Sequence, residues 1–191
     1  MTTITSAAKP GYSVSSAGQI TRSTALMELF KAYRSLKTRY EQANATYVGA
    51  AVIQLLMAHG WLSGCKITLE AKSEMGDEGE SFRSIYVSVS DATLIEGVET
   101  PDDVGDDFDE DHANAFIEEL VQDEAGALYD YLMGEHDYDT VSLSIDRSKV
   151  AHLLGQESIC GQEALLLLFP EHAGLITPMY ETAVQAQSLK Q

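Results

Sequence analysis

Apolar residues recur every three or four positions after residue 23, which is the spacing of one helix face. Ser23 or Thr24 can serve as the N-cap, and most nearby cations fall away from the stripe. This pattern predicts an amphipathic, basic-faced helix with apolar positions Leu26, Leu29, Phe30, Tyr33, Leu36 and Tyr40. The same period continues more apolarly from Tyr47 to Gly60, so the chain forms either one bent helix or a hairpin of two.

The period of the pattern changes from helical to alternating after Trp61. Apolar and polar residues alternate in Cys65–Ala71 and in Arg83–Ser90, and a polar loop separates the two stretches. They therefore predict an antiparallel hairpin. Thr140–Ile145 alternates in the same way and predicts a third strand, which we expect to share one sheet with the hairpin.

A second helical stripe begins at Asp109, a good N-cap, with Phe108 and Ala113 placed for a hydrophobic staple. Gly126 is a point at which this helix can bend, and Gly134 ends it. The later elements are a short helix from Asp146 to about Leu154, a helix turn or strand at Glu163–Phe169, and a final helix opening at Thr177-Pro178.

The order of these elements predicts an α+β fold, in which a small, mostly antiparallel sheet of one hairpin and one later strand is covered by helices. Residues 1–23 are rich in Thr, Ser, Ala and Gly and are expected to be a mobile N-terminal arm. Residues 24–191 are expected to form a single domain, because no long linker divides them.

No window approaches the roughly 20 apolar residues of a membrane span, and none resembles a signal-peptide core. We therefore expect a cytoplasmic protein that does not enter the membrane. Cys65 and Cys160 are expected to be reduced and partly buried thiols, since two separated cysteines do not make a disulfide framework.

Charge changes this picture, because the net charge of −18 is concentrated in one segment. From Ser84 through Asp146 the chain carries nineteen Asp and Glu residues and no Lys or Arg. We call residues 84–146 the acidic segment. The residues before it have a net charge of +2 and those after it a net charge of −1.

The chemistry with the closest sequence match is a calcium loop, since Asp107, Asp109, Asp111 and Glu118 fall at positions 1, 3, 5 and 12 of the EF-hand spacing. His112 stands where that loop needs glycine, and a helix is predicted to begin in the middle of the loop. No histidine pair has zinc-ligand spacing, and no nucleophile elbow, dinucleotide fingerprint or P-loop occurs. We therefore predict no catalytic activity, no cofactor and no metal.

Direct nucleic-acid binding by the basic helix is disfavoured, because every phosphate contact would form against a net charge of −18. Carboxylates can instead take the place of phosphates in a basic groove, which recognises mainly the sign and spacing of charge. The sequence thus predicts a non-catalytic inhibitor that occupies the nucleic-acid-binding surface of a basic partner protein, as anti-restriction, anti-CRISPR or anti-nuclease proteins of the DNA-mimic type do. The predicted partner-binding residues are Asp102, Asp103, Asp106, Asp107, Asp109, Glu110, Asp111, Glu118, Glu119 and Asp123.

Three alternatives stay open. The first is an acidic interaction module without nucleic-acid mimicry, the second a calcium-binding protein, and the third an enzyme whose site is assembled from distant residues. An apolar partner surface around Trp61 would replace the acidic one if neutralising the carboxylates had no effect.

Overall fold

The computed structural model describes residues 11–105, 107–133 and 138–175 of the chain. The chain divides into two compact units, Met1–Glu41 and Gln42–Gln191, which we describe separately. One continuous helix, α1 (Thr24–Ala58), runs through the boundary. The two apolar stretches that the sequence left as one helix or two are therefore one helix.

The described part of the first unit consists of a short hairpin and the first half of α1. Strands β1 (Tyr12–Val14) and β2 (Ile20–Arg22) pair antiparallel within the predicted arm, whose mobility stays a prediction. Ser23 then caps α1, because its hydroxyl accepts a hydrogen bond from the Leu26 N–H at 3.2 Å. Nearly all side chains of this stretch are exposed.

The second unit contains a three-stranded antiparallel sheet with the order β4-β3-β5. Its strands are β3 (Leu62–Met75), β4 (Ser81–Leu94) and β5 (Thr140–Asp146). The hairpin and the later strand thus share one sheet, which confirms the predicted α+β fold. The hairpin strands are longer than the alternating stretches, because pairing continues into the polar residues near the turn.

Alternation gives this sheet one buried face and one exposed face. Ile67 and Leu69 on β3, Val87 and Val89 on β4, and Leu143 on β5 are all buried. They belong to one core that also contains apolar residues of the second half of α1, of α2 (Glu110–Gln122), of α3 (Ala125–Met133) and of α4 (Gly161–Leu168). The sheet is therefore covered by helices on one side.

Several element boundaries differ from the predicted ones. The helix expected from Asp109 to Gly134 is two helices, and the break lies at Asp123 and Glu124 rather than at Gly126. The ambiguous Glu163–Phe169 stretch lies mostly in α4, and a 3-10 helix at Arg147–Val150 replaces the short helix. Short 3-10 helices also occupy Asp102–Val104 and Pro170–Leu175, and the predicted final helix at Thr177-Pro178 lies outside the described residues.

The two cysteines have different environments. Cys65 is buried in the sheet, and burial raises the pKa of its thiol to about 12. Cys160 precedes α4 and is exposed, so the expectation that it would be partly buried is wrong. Both are free thiols.

Helices α1 and α4 approach each other through two glycines. A Cβ on Gly49 would lie 2.1 Å from the Gly161 carbonyl oxygen, and a Cβ on Gly161 would lie 2.3 Å from the Thr46 carbonyl oxygen. Backbone meets backbone at this crossing, so neither position has room for a methyl group.

The C-terminal end of α1 is held by a residue distant in sequence. The Arg147 guanidinium donates hydrogen bonds to the carbonyl oxygens of Leu56 at 2.7 Å, of Leu62 at 3.3 Å and of His59 at 3.4 Å. The Leu56 carbonyl lies in the last turn of α1, where carbonyls have no partner within the helix, and a cation there interacts favourably with the negative pole of the helix dipole. The last turn of α1 contains no basic residue, so Arg147 supplies the positive charge at this end of the helix.

Candidate partner-binding surface

Residues 102–109, the acidic stretch that precedes α2, are anchored to the core by two apolar residues within it. Val104 lies in the 3-10 helix Asp102–Val104 and is fully buried. Phe108 is half-buried and packs on Trp61, with ring centroids 6.3 Å apart. With these two side chains turned inward, the carboxylates of Asp102, Asp107 and Asp109 are exposed.

Helix α2 likewise buries its apolar residues and exposes most of its carboxylates. The Asp109 carboxylate accepts a hydrogen bond from the His112 N–H at 3.0 Å, which confirms the predicted N-cap, and this bond lowers the pKa of Asp109. Ala113, Ile117 and Val121 follow at four-residue intervals and are buried. Burial of this stripe turns the opposite side of α2 to solvent, and there Glu110, Asp111, Glu119 and Asp123 are exposed.

Two polar side chains of α2 accept hydrogen bonds from the backbone of β4, which is an edge strand of the sheet. The Asn114 side-chain oxygen accepts a hydrogen bond from the Ala92 N–H at 3.1 Å, and the Glu118 carboxylate accepts one from the Val89 N–H at 3.4 Å. Unpaired N–H groups on an edge strand invite pairing with other chains, and these contacts satisfy two of them. Glu118 is half-buried as a result.

The predicted partner-binding residues therefore fall into three groups. The exposed group contains the seven residues Asp102, Asp107, Asp109, Glu110, Asp111, Glu119 and Asp123. Glu118 forms the second group, because one of its oxygens already has a partner within the fold. For the third group, Asp103 and Asp106, the structure describes no side-chain position.

The seven exposed carboxylates have no ion-pair partner within 4 Å among residues 11–105, 107–133 and 138–175. Two other carboxylates of the acidic segment do have specific partners. Asp130 pairs with Arg83 on β4, and Glu124 accepts a hydrogen bond from the Tyr47 hydroxyl at 2.6 Å, which raises the pKa of Tyr47. Asp130 is therefore partly buried by its ion pair, whereas Glu119 and Asp123 are exposed.

The calcium-loop spacing does not produce a loop. Asp109 is the cap of α2, and Asp111 and Glu118 lie within that helix. In the described part of the chain, no three His, Cys, Asp or Glu side chains come together where a metal ion could bind. None of the helices described is both long enough and apolar enough to cross a membrane.

No family model, curated protein or solved structure matches this chain.

An apolar cavity of about 270 Å³ lies between the second half of α1 and helices α2 and α3. Leu120 lines this cavity on α2 and is 42% exposed, close in sequence to Glu119 and Asp123. Trp61, in contrast, is only 6% exposed and packs on Phe108 and His59, so it does not form the apolar surface suggested as the alternative. By its spacing Leu120 belongs to the apolar helical stripe that begins at Asp109, so the sequence pattern predicts burial and does not reveal this exposure.

Proposed function

We propose that this protein is a non-catalytic acidic binding protein that occupies the basic, nucleic-acid-binding surface of a partner protein. The observation that carries the proposal is a set of seven exposed carboxylates that have no ion-pair partner among the described residues. They lie on a scaffold anchored by Val104, Phe108 and the buried stripe of α2. An anchored array loses little conformational entropy when a partner binds, whereas a floppy acidic loop would lose more.

The spacing of the array also supports the proposal. Along α2, Asp111, Glu119 and Asp123 are eight and four residues apart, which corresponds to about 12 Å and about 6 Å of helix. A basic groove that binds nucleic acid presents cations along a path of regularly spaced phosphates. Carboxylates at these intervals along α2 offer that groove the same sign of charge, at intervals of the same order as the spacing of phosphates.

The energetic part of the support is that the seven carboxylates have no ion-pair partner in the part of the chain that the structure describes. Like charges that repel one another lower stability unless opposite charges compensate them. Asp130 has such compensation from Arg83, whereas the seven exposed carboxylates have none among the described residues. A partner that supplies Lys and Arg side chains would relieve this repulsion and gain association rate through electrostatic steering.

A second candidate is an acidic interaction module whose affinity comes from apolar contact. The exposed side chain of Leu120 beside the apolar cavity favours it, because buried apolar anchors provide most of the energy in many interfaces. The acidic residues would then form only the polar rim.

The test begins with capture of partners by the immobilised chain from a lysate, at about 0.1 M and about 1 M salt, where the Debye length falls from ~10 Å to ~3 Å. For a captured protein, affinity is then measured with Asp111→Asn, Glu119→Gln and Asp123→Asn combined. Three exposed ion pairs predict a loss of affinity of about three- to about 140-fold. Duplex DNA should compete with the unmodified chain for the same partner.

The matched control is Glu157→Gln, Glu163→Gln and Glu171→Gln, which removes the same charge from exposed positions outside the acidic segment. Equal weakening by both sets would mean that only net charge acts, and the proposal would fail. Weakening by Leu120→Ser alone, without competition by DNA, would favour the second candidate.

A further inference from the structure

The first half of α1 presents an apolar row that nothing in the described part of its own unit covers. Leu29 is 53% exposed, Tyr33 61%, and Leu36 and Tyr40 65% each. Leu26, one turn before them, is half-buried. We refer to Leu26, Leu29, Tyr33, Leu36 and Tyr40 as the α1 seam.

The spacing of the α1 seam is three, four, three and four residues, which is the a and d pattern of a coiled coil. A globular helix that packs on a core carries a wider apolar face. Lys31 and Arg34 take the outer positions f and b of this repeat, and Lys37 and Arg39 flank the seam at e and g. The repeat ends at its next a position, Tyr47, which contacts Tyr131 and Glu124 within the second unit.

We propose that the α1 seam binds the same seam of a second copy of this chain, so that the protein forms a dimer through the first half of α1. This proposal is independent of the partner-binding function above. A seam that pairs with its own copy forms the isologous interface typical of two-fold dimers.

The exposed apolar area of this half of α1 is large enough for a second copy of the chain to bind. The count includes Phe30, which flanks the α1 seam at position e. With about 200 Å² for an aromatic side chain, the exposed fractions of Phe30, Tyr33 and Tyr40 amount to about 330 Å² on each copy. Leu29 and Leu36 raise this to about 500 Å². Two copies would bury about 1,000 Å², which is the lower limit for a specific interface, so the dimer should be weak and concentration-dependent.

Charge argues against the other partners that a basic amphipathic helix suggests. The whole chain carries −18, so a nucleic acid or an anionic membrane would meet long-range repulsion. A second copy is also repelled, but its apolar seam needs no charge partner. Salt should therefore strengthen the dimer, whereas it should weaken binding to a basic protein.

The experiment is sedimentation equilibrium of the full chain from low to high micromolar concentration, at about 0.1 M and about 1 M salt. We expect a monomer–dimer equilibrium that shifts toward dimer with concentration and with salt. Leu29→Gln with Leu36→Gln should leave a monomer throughout, and Gln is chosen because its helix propensity is close to that of Leu. Circular dichroism checks that the variant keeps its helix content.

The control is Met27→Gln with Lys31→Gln, at positions b and f of the same helix, which should dimerise as the unmodified chain does. A monomer at every concentration, or a dimer that survives Leu29→Gln with Leu36→Gln, would overturn the proposal. So would a dimer that salt dissolves, because it would be held by the acidic segment. Binding to vesicles of anionic lipid by a chain that stays monomeric would assign the seam to a membrane surface instead.

Discussion

The first half of α1 and helix α2 are both amphipathic, yet the structure uses them in opposite ways. In α2 the apolar stripe is buried, with Ile117 fully covered, and the acidic side is left to solvent. In the first half of α1 the apolar seam itself is exposed, as at Leu36, where 65% of the residue is accessible. The surface that each helix leaves exposed is therefore acidic in one case and apolar in the other.

This difference teaches that periodicity predicts the existence of a stripe and says nothing about what covers it. Helix α2 has β4 beside it, and its polar residues Asn114 and Glu118 even bond the backbone of that strand. The first half of α1 has only the short hairpin β1–β2 within the described part of its unit. Four pairs of variants test how far the contrast holds.

The largest expected effect is that of Ile117→Ala in α2, which removes a fully buried side chain. We expect a loss of about 2–5 kcal/mol in the free energy of unfolding, measured by urea denaturation. Leu36→Ala in α1, at a concentration where the chain is monomeric, should change it by no more than about 0.5 kcal/mol. Similar losses for both would mean that the seam of α1 is covered within the monomer.

Next in size is Arg147→Met, which keeps the volume of the side chain and removes its hydrogen bonds to the end of α1. Hydrogen bonds from a charged donor predict a loss of about 1.5–3 kcal/mol in the free energy of unfolding. Arg34→Met, on the exposed half of the same helix, is the control and should be nearly neutral. If Arg147→Met leaves the free energy of unfolding unchanged, water replaces the guanidinium at these carbonyls.

Gly49→Ala tests the close approach of α1 and α4. Alanine improves helix propensity by about 1 kcal/mol, but its methyl group would overlap backbone atoms of α4, so we expect a net loss of about 1–3 kcal/mol. Ser35→Ala, in the exposed half of α1, meets no such obstacle and should be neutral or slightly stabilising. Thermal unfolding of the two variants gives the comparison, and a stabilising Gly49→Ala would contradict the crossing.

The smallest effect on stability should come from substitution of Asp109, the cap of α2. Its pKa is lowered by the His112 N–H, so its contribution to stability is present above the unfolded pKa and is lost as the pH falls through the folded pKa. Asp109→Asn should keep the cap and remove this part of the acid dependence, whereas Asp109→Ala should destabilise the helix at neutral pH. Stability measured from neutral to acid pH separates the two. If Asp109→Asn keeps the full acid dependence, other carboxylates are responsible.

Much of the fold was predictable because its signals are local. Strict alternation in Ile67–Ala71, Ile85–Val89 and Val141–Ile145 predicted the strands and the face that each would bury. Asp109 as a cap was predictable for the same reason, since its hydrogen-bond partner is three residues away. The break between α2 and α3 carries no Gly or Pro at Asp123 and Glu124, and so gave no local warning.

The sequence by itself determined where the negative charge lies along the chain, which residues alternate and where α1 and α2 begin, because composition, side-chain period and capping act over a few residues. Only the tertiary structure decided that Glu118 bonds to β4, that Asp130 pairs with Arg83 and that Arg147 caps α1, since each contact joins residues 29 to 91 positions apart. It also decided which apolar stripe is covered. Coverage depends on which elements meet after the chain has closed long loops, and no local pattern records that outcome.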